Sequence, residues 1–447
     1  MGYHLQEVVC FLGLALAFAC VSTAMAQYPA GLSSTGPEAA LSDQKGREAR
    51  ANAGSYHLKI GQVRFKIGLG LNQEYNDNIT LSKGALQESD FITTPNVDLN
   101  VFWPFSKLNT LDMGLGLGYS KYWQHPDLDT QSLLIDPKSL LDFNIYVGDI
   151  RFTLYEKISI QEDPISQPQL SGTSKFRRLE NTMGIRANWD LNRIVLGGGY
   201  DRYTFKALDK GGSVTTNNGQ TANQGGNGTT NNGQTVGGLD HDVDSLFGQI
   251  GYKMNPKMLA GLRGNFSETT YSGTQQNGSS SKSVAIFLDG ELTHHISAGL
   301  SAGYQMQTFA SGGSINDNSN FESYIFQMSV KHEVNRFFSH NLSLSRYSLA
   351  GIGTNFSETQ EFDYSVDWDF IKDVQLTASA FFQTLKDSGA GPNSESADRY
   401  GLSLKGVHKL FRSWDLGLGY DLMVKDSNIP ENDYLQNRVY LNLTYSF

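Results

Sequence analysis

A chain of 447 residues with a formal net charge of −10 is a poor candidate for binding nucleic acid, whose phosphates need a basic face. Charged residues make up only 18%, low for a soluble acidic protein, while 47 glycines, 11 prolines and 11% aromatics favour β structure over helices. The two cysteines, Cys10 and Cys20, both fall in the first 26 residues, so whatever follows is stabilised without disulfides.

Residues 8–21 are an apolar run, and Ala24-Met25-Ala26 is a small-x-small site before Gln27, which predicts a signal peptide over residues 1–26. A short membrane anchor, or lipidation at Cys20, is the alternative. Residues 27–56 are polar and aperiodic and read as a flexible periplasmic tail, or as a short plug or docking segment. From residue 57 to the end the chain reads as one domain.

Strict two-residue alternation begins near Gln62. Val63, Phe65, Ile67, Leu69 and Leu71 share one face, and Arg64, Lys66, Gly68, Gly70 and Asn72 the other. Tyr75-Asn76-Asp77-Asn78-Ile79 then reads as a polar turn signal. The same alternation recurs through Val97–Phe105, Leu111–Tyr119 and some fifteen later segments, which predicts about 18 strands. Connections alternate between short turns, as at 106–109, 190–193 and 371–373, and longer polar loops, as at 162–175, 310–320 and 386–398. That sorting, with both termini on the short-turn side, predicts an all-β, single transmembrane antiparallel up-and-down barrel. A soluble β-rich secreted protein is the rival fold.

Trp103, Trp189, Trp368 and Trp414 fall beside short turns, and Tyr119, Tyr200, Tyr304 and Tyr420 near the long-loop end, as two aromatic belts require. The loop over 209–240 is low in complexity and duplicates TTNNGQT at 215–221 and 229–235. It is expected outside the cell as a tether, or as a glycan-binding or β-helical insert. The chain ends in Val439, Leu441, Leu443, Tyr445 and Phe447 on one face. Tyr445 and Phe447 resemble the C-terminal assembly signal of bacterial outer-membrane barrels, which implies the barrel-assembly machinery and outer-membrane lipid as partners.

Together, the leader, the Tyr75–Ile79 element and the terminal Phe447 resemble the β-barrel porin 2 family over about residues 62–447. The resemblance implies the outer membrane of a Gram-negative (diderm) bacterium and, more distantly, exopolysaccharide secretion. It transfers no functional residues.

The sequence predicts no catalytic, cofactor or metal site. His340 shares parity with Phe338 and Leu342 and should face lipid. The informative side chains lie on the polar faces, where Glu361, Asp363, Asp367 and Asp369 share one strand face with no base opposite on the same face of the adjoining segments. Arg64 and Lys66, with Arg151, Lys157, Arg178 and Arg186, form a basic set in the first third. These are candidates for lumen selectivity, or else groups that merely pair across the wall. The expected function is porin-like passage of small hydrophilic solutes or extruded polysaccharide. A structural or adhesive display barrel is the alternative, and an outer-membrane enzyme a distant third.

Overall fold

The computed structural model describes residues 56–208, 238–313, 315, 317–389 and 394–447. The expected leader, the tail up to residue 55 and the duplicated loop segment 209–237 lie outside the described residues.

The first half holds β1 (Leu58–Ile60), β2 (Val63–Asn76), β3 (Asp90–Pro104), β4 (Thr110–Gly118), β5 (Lys121–Tyr122), β6 (Leu134–Ile135), β7 (Leu140–Val147), β8 (Ile150–Gln161), β9 (Arg178–Leu191) and β10 (Ile194–Ala207). There follow β11 (His241–Asn255), β12 (Met258–Tyr271), β13 (Ser279–Glu291), β14 (Ile296–Phe309), β15 (Phe321–Asn335) and β16 (Phe338–Ala350). The last five are β17 (Phe356–Ile371), β18 (Val374–Asp387), β19 (Ser396–Phe411), β20 (Trp414–Ser427) and β21 (Tyr434–Ser446). Eighteen of these form the wall of a closed antiparallel barrel. The short β5 and β6 extend the wall at β4 and β7, and β1 folds back on the start of β2.

Closure satisfies the backbone. In hydrocarbon every N–H and C=O needs a partner, so an open sheet edge is excluded and the first strand must meet the last. Here β2 pairs with β21 from Gly68↔Ser446 to Asn76↔Arg438. The Tyr75–Ile79 element, read in the sequence as a polar turn, is the clasp above that seam. Asp77 accepts from the backbone and side-chain N–H of Asn437 at 2.6 Å each. Asn78 is fully buried, and its amide donates to the carbonyls of Ser82 and Leu435 at 2.8 Å. Its own carbonyl accepts from Gln436. Short polar side chains suit this position because they reach backbone groups that the end of a ladder leaves over.

The alternation resolves into two faces as the sequence requires. Leu69, Val97, Ile185, Leu246, Val284, Leu418 and Leu441 are each at least 40% exposed and point outward. In water such a band would be costly, and in a bilayer it is the solvated surface. Trp103, Trp189, Trp368 and Trp414 face outward at the short-turn end and Tyr119 and Tyr304 toward the other, whereas Tyr200 and Tyr420, expected with them, lie midway along β10 and β20. Tyr445 packs between Trp414 and Phe447, tilted to the first and edge-on to the second, with ring centroids 4.8 and 4.7 Å away, so the terminal aromatic belongs to the inner belt. His340 faces outward as expected, packed on His332, Phe338 and Tyr364. A strand of 14 residues tilted by about 40° rises about 35 Å, more than the ~25 Å apolar band. Its upper end therefore stands clear of the lipid and carries the loops.

Candidate permeation pathway

Eighteen strands about 4.8 Å apart, tilted by about 40°, enclose a bore of about 35 Å between backbones. Side chains reduce that to roughly 20 Å, so the wall alone would leave a wide aqueous hole. What narrows it is the third extracellular loop, residues 162–177, between β8 and β9.

This loop does not stand out in solvent as its polarity suggests; it crosses the barrel mouth. Arg178, 1% exposed, turns it inward at the root. One arm donates to the carbonyls of Asp163 and Phe176 at 2.9 and 3.2 Å, and Nε pairs with Glu180 at 2.7 Å. Beyond the bend, Asp163 meets Arg438 of β21 at 2.9 Å, and the Ile165 carbonyl accepts from Arg399 of β19 at 3.0 Å. The Gln169 amide reaches the Ala350 carbonyl and Ser357 Oγ, at the tips of β16 and β17. Ser171 is bonded to the buried Lys425 of β20 at 3.1 Å and to the Asn432 carbonyl at 2.9 Å. A loop rooted in one wall is thus fastened to the opposite one.

Its apolar residues are covered as well. Leu170 and Phe176 pack with Phe205 and Ala207 of β10, Leu239, and Ile352 from the 351–355 loop. The mouth accordingly contains a small hydrophobic core. A second fastening joins four other loops around Asp317, whose carboxylate accepts from the Asn355 backbone and the Ser388 hydroxyl, while Asn277 bonds Asn355 and the Asp317 carbonyl. Burial alone would push the Asp317 carboxyl up. The hydrogen bonds from Ser388, Asn355 and Ser319 outweigh it and hold the group below its ordinary value.

Below the loop the acids of β17 and the bases of β8 and β9 face the lumen from opposite sides, whereas Arg64 and Lys66 on β2 lie only five strands from β17. Counting round the closed wall, β8 and β17 are nine strands apart in either direction, half the circumference. On β8 and β9, Arg151, Lys157 and Arg186 point inward. The Arg186 guanidinium lies 3.8 Å from the centroid of the Tyr155 ring, with Asp142 and Arg151 as its charged neighbours. Gly184, between Tyr155 and Asp201, makes this possible, because a Cβ there would sit 2.6 Å from the tyrosine oxygen. Arg64 and Lys66 lie inward at the periplasmic end of β2, Arg64 over Phe102. Arg178 is not part of this set in space, since it is spent on the loop bend.

On β17 the four acids do share one face, but they divide into two pairs. Glu361 accepts from Tyr347 and Gln383 at 2.8 Å each, and Gln383 in turn accepts from Arg399. The positions opposite on the adjoining strands carry no base, as the sequence indicates, yet a base is relayed from two strands away through one amide. Asp363 accepts from Ser343 at 3.3 Å. Asp367 and Asp369, nearer the periplasm, are exposed and oppose Thr377 and Gln375. Among the described residues none of the four forms an ion pair.

The sequence reading missed Arg399, Lys425 and Arg438, which lie on the polar faces of β19, β20 and β21. It also missed the crossing loop. The signal available was that residues 162–177 hold Pro164, Ile165, Leu170 and Phe176, too apolar for a solvated tether.

No protein-family model and no curated protein sequence matches the chain. Solved structures similar to it include a BenF-like porin from Pseudomonas fluorescens Pf-5, with 10% identity, a TM-score of 0.48, and 87% of this chain covering 100% of that one. Pseudomonas aeruginosa OccK2 (OpdF), in complex with glucuronate, has 9% identity and a TM-score of 0.46 over 86% and 98% of the two chains. Pseudomonas aeruginosa OpdK, with vanillate, has 9% identity and a TM-score of 0.45 over 86% and 99%. The chain is an antiparallel β-barrel of 18 strands, built as outer-membrane barrels are built, with its lumen crossed by a loop from one charged wall to the other.

Proposed function

We propose that this protein is a channel of the Gram-negative outer membrane that passes small hydrophilic solutes, with the 162–177 loop as its constriction. The observation that carries the reading is that loop. An empty bore of ~20 Å would admit almost any metabolite, whereas a loop fastened to β16, β17, β19, β20 and β21 leaves only gaps beside it. A polymer would have to thread those gaps, so the expectation of exopolysaccharide export, implied by the resemblance to the porin 2 family, is set aside in favour of small solutes.

Selectivity is assigned to Asp367 and Asp369, with Asp363 and Glu361 above them, as a negative strip that favours cations or accepts hydrogen bonds from hydroxyl groups. Screening acts over ~8 Å at physiological salt, less than half the bore, so the strip and the basic wall act separately except beside the loop. The test is the cation/anion permeability ratio of single channels. Asp363→Asn with Asp367→Asn should lower it about twofold at low salt and hardly at all at 1 M salt. An unchanged ratio at low salt in a conducting barrel would leave the strip as ordinary wall.

The packed core around Leu170 supports a second reading, a barrel that displays loops and does not conduct. Reconstituted protein with native heat-modifiable migration and no channel events would decide for it.

A further inference from the structure

The crossing loop lands on a buried group of three side chains at the extracellular end of β20. Lys425 lies near the end of that strand, and Asn432 closes the turn Pro430–Asn432 between β20 and β21. Ser427 N–H donates to Asp433 at 2.8 Å, which folds this turn back toward the strand. Glu395 enters from the residue before β19. Lys425 is 2% exposed, Asn432 6% and Glu395 8%. Tyr434 stands opposite Lys425 on β21 and is buried with it.

The three meet on one carboxylate. Glu395 Oε1 lies 3.0 Å from Lys425 Nζ and accepts from Asn432 Nδ2, also at 3.0 Å. Glu395 Oε2 accepts from the same Nζ at 3.2 Å. Ser171 of the crossing loop ties the pair together from a second side, since its hydroxyl accepts from Lys425 Nζ and donates to the Asn432 carbonyl. A lysine and a glutamate alone would fasten the loop. The amide on the same oxygen adds an electrophilic carbon, one bond away from a nitrogen that can take up a proton. Burial favours a neutral amine and acid over an ion pair, and the neutral amine is the nucleophile. Little solvent reaches the group, so water does not compete for the carbon.

We propose that Lys425 and Asn432 become joined by an isopeptide bond, with Glu395 as the proton carrier. Glu395 takes a proton from the Lys425 ammonium, and the freed amine adds to the Asn432 Cγ. The proton that Nζ then loses passes to Nδ2 as the Cγ–Nδ2 bond breaks. An Nζ–Cγ amide forms, and ammonia departs as ammonium with the proton first held by Glu395, which is again a carboxylate. Nothing is oxidised or reduced and no co-reactant is needed. The bond fixes the β20–β21 loop, on which Ser171 rests, to the wall. It is independent of conduction, so failure of either idea leaves the other standing.

The test is a tryptic peptide map of the full chain, taken from protein with native heat-modifiable migration and denatured before digestion. Trypsin needs a free lysine, so a joined Lys425 is not cut. Residues 413–438 should then appear as one peptide, lighter by one ammonia, whose fragmentation releases no ions from breaks between residues 425 and 432. Glu395→Gln keeps both partners and should give separate peptides 413–425 and 426–438 at full mass. Separate peptides from the unaltered protein overturn the proposal, even where Asn432 has lost ammonia to its own backbone. That result does not depend on how the variant folds. A joined peptide formed as completely in Glu395→Gln would overturn the part given to Glu395.

Discussion

The basic wall of β8 and β9 and the acidic strip of β17 stand half a circumference apart and are built in opposite ways. Arg186 is laid flat on Tyr155 and Arg151 is 6% exposed, so the guanidinium charges are packed into the wall and Lys157 is the exposed base of these two strands' set. Asp367 and Asp369 are exposed, with neutral side chains opposite on the adjoining strands. Guanidinium groups tolerate such packing because they are weakly hydrated and stack on rings, whereas carboxylates without a base stay in water. A solute should therefore sense the acidic side more than a count of charges implies. The loop that joins the walls, rooted at Arg178 and landing on Ala350 and Ser357, is the part through which each can affect the other.

Removing that connection should have the largest effect. Replacing residues 164–174 by a short Gly-Ser linker is expected to raise single-channel conductance at least threefold and to weaken selectivity, since charges more than a Debye length from the solute path are screened. Unchanged conductance would mean the loop is not the constriction. A milder break is Leu170→Asn with Ile352→Asn, which puts amides into the core at the mouth. Burying such groups without partners costs about 1–3 kcal/mol each, enough to shift the loop outward and increase open-channel noise. Quiet channels like those of the unaltered protein would count against a role for this core in closing the mouth.

The basic side can be tested alone. Arg186→Gln should raise the cation/anion ratio less than twofold, a smaller change than the acidic double variant makes in the other direction. A larger effect from Arg186 would invert the comparison.

The smallest effect is expected from pH at the other fastening. Asp317 has a folded pKa below its ordinary value of 3.8, so it stabilises the loop cluster fully above that value. The contribution disappears as pH falls through the lower, folded pKa. Channel noise should then be constant from pH 7 to about pH 4.5 and rise only in stronger acid, and Asp317→Asn should remove the dependence. A rise centred near neutral pH would assign it to some other group.

Much of the barrel was legible because a strand writes its two faces into alternate residues. Val63 to Leu71 or Val439 to Phe447 need no partner to show which side meets lipid. The acidic strip was legible for the same reason, since Glu361, Asp363, Asp367 and Asp369 differ by even numbers. The Tyr75–Ile79 element was noticed, but its role was not, because the groups it satisfies are contributed by Leu435, Gln436 and Asn437 from the far end of the chain.

What the amino-acid sequence determined by itself is everything set by period and by local chemistry: all-β structure, about eighteen strands, the lipid-facing band with its belts, and which charges share a face. Only the tertiary structure decided how far the wall goes round before two charge sets oppose each other, that a polar loop carrying Ile165, Leu170 and Phe176 folds inward, and that β15 and β16 part. Each of these depends on residues far apart in sequence. Gln169 meets Ser357 and Asp163 meets Arg438 only once the barrel has closed, and no periodicity along one strand encodes which distant strand stands opposite.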